Sequence, residues 1–258
     1  MNDKILVSDA GPVRIITINR PEVRNALDLE AAAALRQAFD AFEVDEAAKV
    51  AVLTGAAGSF CSGADLKEMA AEGAMYEPWA GSNGPNGRIL DKPLIAAVAG
   101  HACAGGLGVA LRCDIRLADT TAVFGVFSRR FGVPMSDGTT VRLPRLVGMG
   151  VAQDMLITGR AVNAEEALRI GLITRLVEAG TVLDEALALG KQIAALPQLP
   201  LNSDRHSAYA QEGLALTEAF AQEIALAETA KATEAQPGAA RFAAGIGRHG
   251  RFGEGEKF

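Results

Sequence analysis

The stretch GHACAGGLGVALRCD, residues 100–114, carries small and apolar side chains into a glycine turn and out of it again. PLIAAVAG (93–100) reads as a buried strand, and GLGVALR (106–112) reads as a buried helix. From Pro93 to Leu111 there is no Asp, Glu, Lys or Arg, over a length that approaches a bilayer span. The opening proline and the glycines at 100, 105, 106 and 108 fit a strand followed by a helix in a globular core better than a membrane segment. The first N–H groups of a helix lack intrahelical partners, so a turn opened by Gly105 offers donors to an oxygen gaining negative charge. Taken alone, a glycine turn between strand and helix is also ordinary chain reversal.

The same pattern stands on either side. KVAVLTG (49–55) is a buried strand that leads through AAGSFCSG (56–63) into a helix, ADLKEMAA (64–71), opened by Ala64. DIRLAD (114–119) and AVFG (122–125) read as strands. KILVS (4–8) and VRIITIN (13–19), separated by DAGP, form a hairpin. Asp28 caps a helix over 29–45, with Glu30 in its first turn where the dipole favours an anion. GAMYEPWAGSNGPNGR (73–88), rich in Gly, Pro and Asn, reads as a mobile surface loop. Strand, glycine turn and helix in alternation imply a layered α/β core for the first two-thirds of the chain. Beyond about Leu143 the period is helical, with one short strand in LITRLVE (172–178). Residues after Pro200 read as alanine-rich helices that cover the core or touch another subunit.

Composition narrows the function. The 258 residues are 49% hydrophobic and 22% charged, which suits a sizeable core. A net charge of −6 and a pI near 5.2 argue against a nucleic-acid surface. Cys61, Cys103 and Cys113 form no C-x-x-C pair, so neither a disulfide framework nor a zinc site is expected, and a reducing cytoplasm is the simplest compartment. No G-x-G-x-x-G follows a strand with a ribose-binding acid at the right distance, so no dinucleotide is expected.

Five segments in order, ITINRPEVRNALD (16–28), FCSGADLKEM (60–69), KPLIAAVAGHACAGGLGVALRCDIRLAD (92–119), AVFGVFSRRFGVPMSDGTTVRLPRLVG (122–148) and ITGRAVNAEEALRIGLITRLVE (157–178), closely resemble the enoyl-CoA hydratase/isomerase (crotonase) family. The ending ARFAAGIGRHGRF is similar to the C-terminal helix of one branch of that family. The resemblance implies an α/β spiral core of strand-strand-helix turns over residues 1–196 and a helical C-terminal region over 197–258. It implies homotrimers or hexamers, and an acyl-CoA thioester substrate of fatty acid metabolism with no separate cofactor or metal. By position, the thioester oxygen is held by the backbone amides of Ala64 and Gly105. Acyl-CoA contacts run along Ala64, Asp65, Leu66 and Lys67, and Arg24 borders the CoA nucleotide, as a phosphate contact or a solvated surface arginine.

Hydratases of this family carry two glutamates that hold and activate the added water. Gly108 stands at the first of these positions and Ser128 at the second, and neither can act as a carboxylate base. Asp137 is the nearest replacement. It is read either as a helix cap before Gly138 or as an acid facing the substrate, and Ser128 and Ser136 are candidate contacts to water or substrate. His101, between strand and glycine turn, is read as a buried packing histidine or as a general base; Cys61 and Cys103 flank the turns and read as buried thiols. Glu72 and Glu77 are solvated loop carboxylates or acids that reach the acyl end, and His206 and His249 lie in the helical tail.

Three functions compete on these residues. One is an acyl-CoA lyase or isomerase that stabilises a thioester enolate. Another is a catalytically silent acyl-CoA-binding homologue. The last is a serine hydrolase on the same fold, for which Ser62 with His101 is the only pair near the turns.

Overall fold

The computed structural model describes residues 3–73, 76, 78–79 and 84–247. The chain divides into two compact units, Met1–Ala194 and Ala195–Phe258.

In the first unit, β1 (Ile5–Ala10) and β2 (Val13–Ile18) form the expected antiparallel hairpin. β2 pairs in parallel with β3 (Val50–Gly55), β3 with β4 (Leu94–Val98), β4 with β6 (Ile115–Asp119), and β6 with β9 (Arg175–Val177). β3 and β4 are buried along nearly their whole length, as parallel strands covered on both faces must be. One face packs on Leu35, Phe39 and Phe42 of α1 (Leu29–Val44). The other carries Val13, Val50, Val52 and Ile95 against Val182, Ala186 and Leu189 of α7 (Val182–Ala194).

A second sheet is built from β5 (His101–Cys103), β7 (Val123–Gly125) and β8 (Val162–Asn163), extended by a parallel bridge between Cys61 and Ala102. Each turn of the chain therefore lays one strand in the large sheet, one in the small sheet, and then a helix. α2 (Leu66–Glu72), α3 (Gly105–Arg112) and α4 (Thr139–Val147) are those helices. The sequence suggested a glycine turn running directly from strand to helix, but β5 intervenes. Three residues are too few to show a period, and only their ladder partners in Cys61 and β7 define them as a strand. α5 (Met149–Thr158) and α6 (Ala164–Arg169) complete this unit. Among the described residues no helix is long and apolar enough to cross a membrane, and residues 93–111 are β4, β5 and most of α3.

Two helix caps are tied together beside the future site. The Asp28 carboxylate accepts the Ala31 N–H at 2.7 Å, and Asp65 caps α2 by accepting the Lys67 N–H at 3.1 Å. Arg20 bridges both carboxylates at 3.0 Å, and Lys4 adds a 2.7 Å contact to Asp28. Burial pushes the Asp28 carboxyl up, but the Lys4 contact, the Ala31 N–H and the Arg20 charge outweigh it and hold Asp28 below its usual value. Asp28→Ala is expected to cost about 1–2 kcal/mol, through the lost cap and the lost Lys4 and Arg20 contacts, Arg20 keeping its pair with Asp65. Urea unfolding at neutral pH measures it. Because the folded-state value is depressed, the contribution is present above the unfolded value and lost as pH falls through the folded one.

The composition of 73–88 suggested a surface loop, but several of its described residues turn inward. Of its described residues, Tyr76, Pro78, Trp79, Pro85 and Asn86 are buried. The Tyr76 hydroxyl accepts the Asp65 N–H at 2.7 Å and donates to the Leu27 carbonyl at 2.6 Å, which gives the ring a fixed place in the core.

In the second unit, α8 (Gln198–Ala210) packs on α9 (Leu216–Ala230), which continues through a π-helical turn, Lys231–Ala235, into α10 (Gln236–Ala243). Leu216, Phe220 and Ile224, four residues apart on α9, are exposed. The end of ARFAAGIGRHGRF, including His249, lies outside the described residues.

Candidate active site

A cavity of about 410 Å³ lies in the first unit. One strand-to-helix turn contributes Ala64 and Leu66, the other Ala104 and Gly105, and the segment leading into α4 contributes Ser128, Ser136 and Asp137. The two turns abut: a Cβ built on Gly63 would stand 2.9 Å from the Gly105 nitrogen. Cys61 and the β5 strand lock them together through Cys61 N–H to His101 O at 2.7 Å and Cys103 N–H to Cys61 O at 3.0 Å. Ala104 precedes α3 with φ 49°, a conformation that costs a non-glycine residue energy, and its N–H is held by Gly125 O at 2.8 Å. Among the described residues no acceptor takes the Ala64 or the Gly105 N–H. Gly105 is the first residue of α3, as expected, whereas α2 begins two residues after Ala64, with Asp65 as its cap.

Asp137 is 3% exposed. The formal cap of α4 is Gly138, and Asp137, one residue earlier, accepts the Thr139 N–H on Oδ1 at 2.9 Å. Its Oδ2 is buried without a hydrogen-bond partner among the described residues. Burial raises the Asp137 carboxyl above the usual aspartate value; the Thr139 amide, the nearby Thr139 hydroxyl and the Arg142 charge lower it without cancelling that effect. The carboxyl fills the space over Gly108: a Cβ there would lie 2.2 Å from Asp137 Oδ2 and 2.5 Å from its Cγ. α3 carries no acid at this point, and the Asp137 carboxyl from the turn before α4 stands over Gly108.

The other candidates divide. Ser128 is buried at the cavity wall and donates to Met135 Sδ at 3.1 Å, and Ser136 is exposed at the cavity. Arg24, Asp65 and Lys67 do not line it. The Asp65 side chain is used by the α2 cap and Arg20, Lys67 is exposed, and Arg24 is an exposed left-handed residue whose carbonyl accepts the Ser62 N–H. Burial pushes the Cys61 and Cys103 thiols up to about 12, so neither is a thiolate near neutrality. Ser62 Oγ donates to the Val23 carbonyl at 3.2 Å, a structural bond that leaves the hydrolase reading without support. Glu72 is exposed, His206 is half-buried on α8, and Glu77 lies outside the described residues.

Sequence reasoning missed Tyr76 and Trp79, which both line the cavity, and Arg20, which ties the caps. The signal available was two aromatics, YEPW (76–79), inside an otherwise polar, glycine-rich segment.

An α/β spiral with its cavity at two abutting strand-to-helix turns defines an enzyme of the crotonase class. The chain belongs to the enoyl-CoA hydratase/isomerase family, whose model matches residues 9–245. It is 38% identical over 222 residues to an enoyl-CoA hydratase of Mycobacterium tuberculosis, covering 83% of this chain and 84% of the relative. It is 36% identical over 248 residues to a probable enoyl-CoA hydratase of Rhizobium meliloti, covering 94% and 95%. A crystal structure of an enoyl-CoA hydratase from Mycobacterium tuberculosis matches with TM-score 0.89 at 33% identity, covering 94% and 96%.

Proposed function

We propose that this acyl-CoA-binding enzyme holds the thioester oxygen between the Ala64 and Gly105 amides and moves a proton with a single carboxyl, Asp137. A thioester carbonyl polarised by two fixed N–H dipoles acidifies the adjacent carbon. Asp137 Oδ2 takes a proton from the α-carbon of a 3-enoyl thioester, and the bond's electron pair passes to the thioester oxygen as a dienolate. The acid, after exchanging its proton with solvent, protonates the γ-carbon as the electrons return. No organic cofactor or metal is needed for that cycle. One observation carries the reading: the Asp137 carboxyl is buried, lines the cavity that holds both turns, and keeps one oxygen unpaired. Water addition, in contrast, calls for a pair of carboxylates, and Gly108 and Ser128 stand where the family resemblance puts them.

Relocation of a double bond next to the thioester is therefore favoured over hydration. A 3-enoyl-CoA incubated in deuterium oxide is expected to give the 2-enoyl isomer with deuterium incorporated, read by mass spectrometry. Crotonyl-CoA hydration is expected two or more orders of magnitude below that of an efficient hydratase, since each acid or base contributes about 10²- to 10⁴-fold. Efficient hydration would refute the single-carboxyl reading. Tight binding with neither reaction would make the chain a silent homologue. The trimer or hexamer belongs to the same proposal, supported by the exposed Leu216, Phe220 and Ile224 stripe on α9.

A further inference from the structure

The cavity is unusual for where the chain places its few aromatic rings. The whole sequence has one Trp, two Tyr and ten Phe. The single Trp, one Tyr and two Phe line this one cavity, as Trp79, Tyr76, Phe127 and Phe131, with the thioethers of Met69 and Met135 beside them. Trp79 lies directly on the oxyanion turn: a Cβ built on Gly105 would stand 2.0 Å from Trp79 Cζ2. Gly105 thus gives the indole its seat, and Tyr76, three residues earlier, is anchored by accepting the Asp65 N–H at the start of α2 and donating to the Leu27 carbonyl.

We propose that Trp79, anchored by Tyr76, is a specificity-determining wall of the acyl cavity, and that the cavity selects acyl groups bearing an aromatic ring. The inference rests on the acyl-CoA reading above and adds the class of acyl group. A cavity of about 150 Å³ accepts benzene, so 410 Å³ leaves a four-carbon acyl chain loosely held. Ring faces and sulfurs favour a flat ring through offset, edge-to-face and sulfur–aromatic contacts that an alkyl chain cannot reproduce. Two such contacts correspond to about tenfold in Kd.

Calorimetric titration of the full chain with 3-phenylpropanoyl-CoA, butanoyl-CoA, octanoyl-CoA and free CoA tests it. These saturated thioesters bind without offering a double bond to the enzyme. The phenyl thioester is expected to bind about tenfold tighter than butanoyl-CoA and tighter than octanoyl-CoA. Trp79→Ala should reduce the phenyl-to-butanoyl ratio to within about twofold while leaving the Kd for free CoA unchanged. Trp79→Leu, which keeps apolar bulk and so guards against collapse of the wall, should lose the same ratio. Intrinsic fluorescence supplies a second readout, because the only tryptophan sits at the ligand and should respond to the phenyl thioester more than to free CoA. Equal binding of all three thioesters, preference for octanoyl-CoA, or a ratio unchanged in both Trp79 variants would overturn this inference and leave the acyl-CoA reading standing. Failure of every thioester and of free CoA to bind would overturn both.

Discussion

Asp137→Asn is expected to lower proton-transfer turnover by about 10²- to 10⁴-fold while acyl-CoA affinity stays within about threefold. Asparagine keeps an oxygen for the Thr139 N–H, so the start of α4 survives, and only the ability to exchange a proton is lost. The substitution therefore separates the two readings of Asp137. A residue that only caps would lose little activity as asparagine; a residue that carries the proton loses most of it. The pH behaviour follows from the raised carboxyl, whose main cause is burial. As a base, Asp137 works only when ionised, so the rate of the parent enzyme should climb with pH above the range of an ordinary aspartate. The stability effect has the opposite sense. A carboxyl with a raised folded-state value binds its proton more tightly in the folded chain, so stability falls as pH rises from the unfolded value through the folded one. Asp137→Asn removes that penalty: the variant should match the parent near pH 4 and exceed it at neutral pH, in paired urea titrations. A variant that is fully active, or less stable than the parent at neutral pH, would contradict the account.

Gly108→Glu has the second large effect, and it runs against the simple idea of restoring a hydratase. The new side chain must leave the helix through the volume that the Asp137 carboxyl fills. It brings a second carboxylate into a site with one unpaired oxygen already buried. Replacing a mid-helix glycine gains up to about 1 kcal/mol in propensity, whereas overpacking costs about 1–3 kcal/mol and an uncompensated buried charge several more. The unfavourable terms win by about 3 kcal/mol or more, a fall in melting temperature of about 6–12 °C for a chain of this size. Crotonyl-CoA hydration should not appear in this single variant. Combined with Asp137→Ala, the glutamate regains its space, and the double variant should recover most of the lost stability, a coupling that a double-mutant cycle measures directly. Additive effects of the two substitutions would mean that the side chains do not compete.

The two sites of substitution mark where sequence reading succeeds and where it stops. Strand and helix alternation, the hairpin, the Asp28 cap and the opening of α3 at Gly105 are local matters, fixed by apolar period, turn residues and one side chain reaching its own helix. The strand at 101–103 was not legible, because three residues owe their conformation to partners in Cys61 and β7. Composition gave no sign that Tyr76 and Trp79 are buried, for a related reason. Glycine, proline and asparagine set the turn propensity, but Tyr76 and Trp79 find a hydrogen-bonded and apolar seat that outweighs it.

The sequence by itself determined the family, the layered α/β core and the lack of side chains able to act as carboxylates at 108 and 128, since each depends on residue identity and near-neighbour pattern. Only the tertiary structure decided that the Gly108 gap is occupied, that Asp137 occupies it, and that Trp79 rests on Gly105. These facts concern residues about thirty apart in the chain that share a few cubic ångströms. Steric exclusion and loss of hydration act through that shared volume, and no local pattern in the sequence records it.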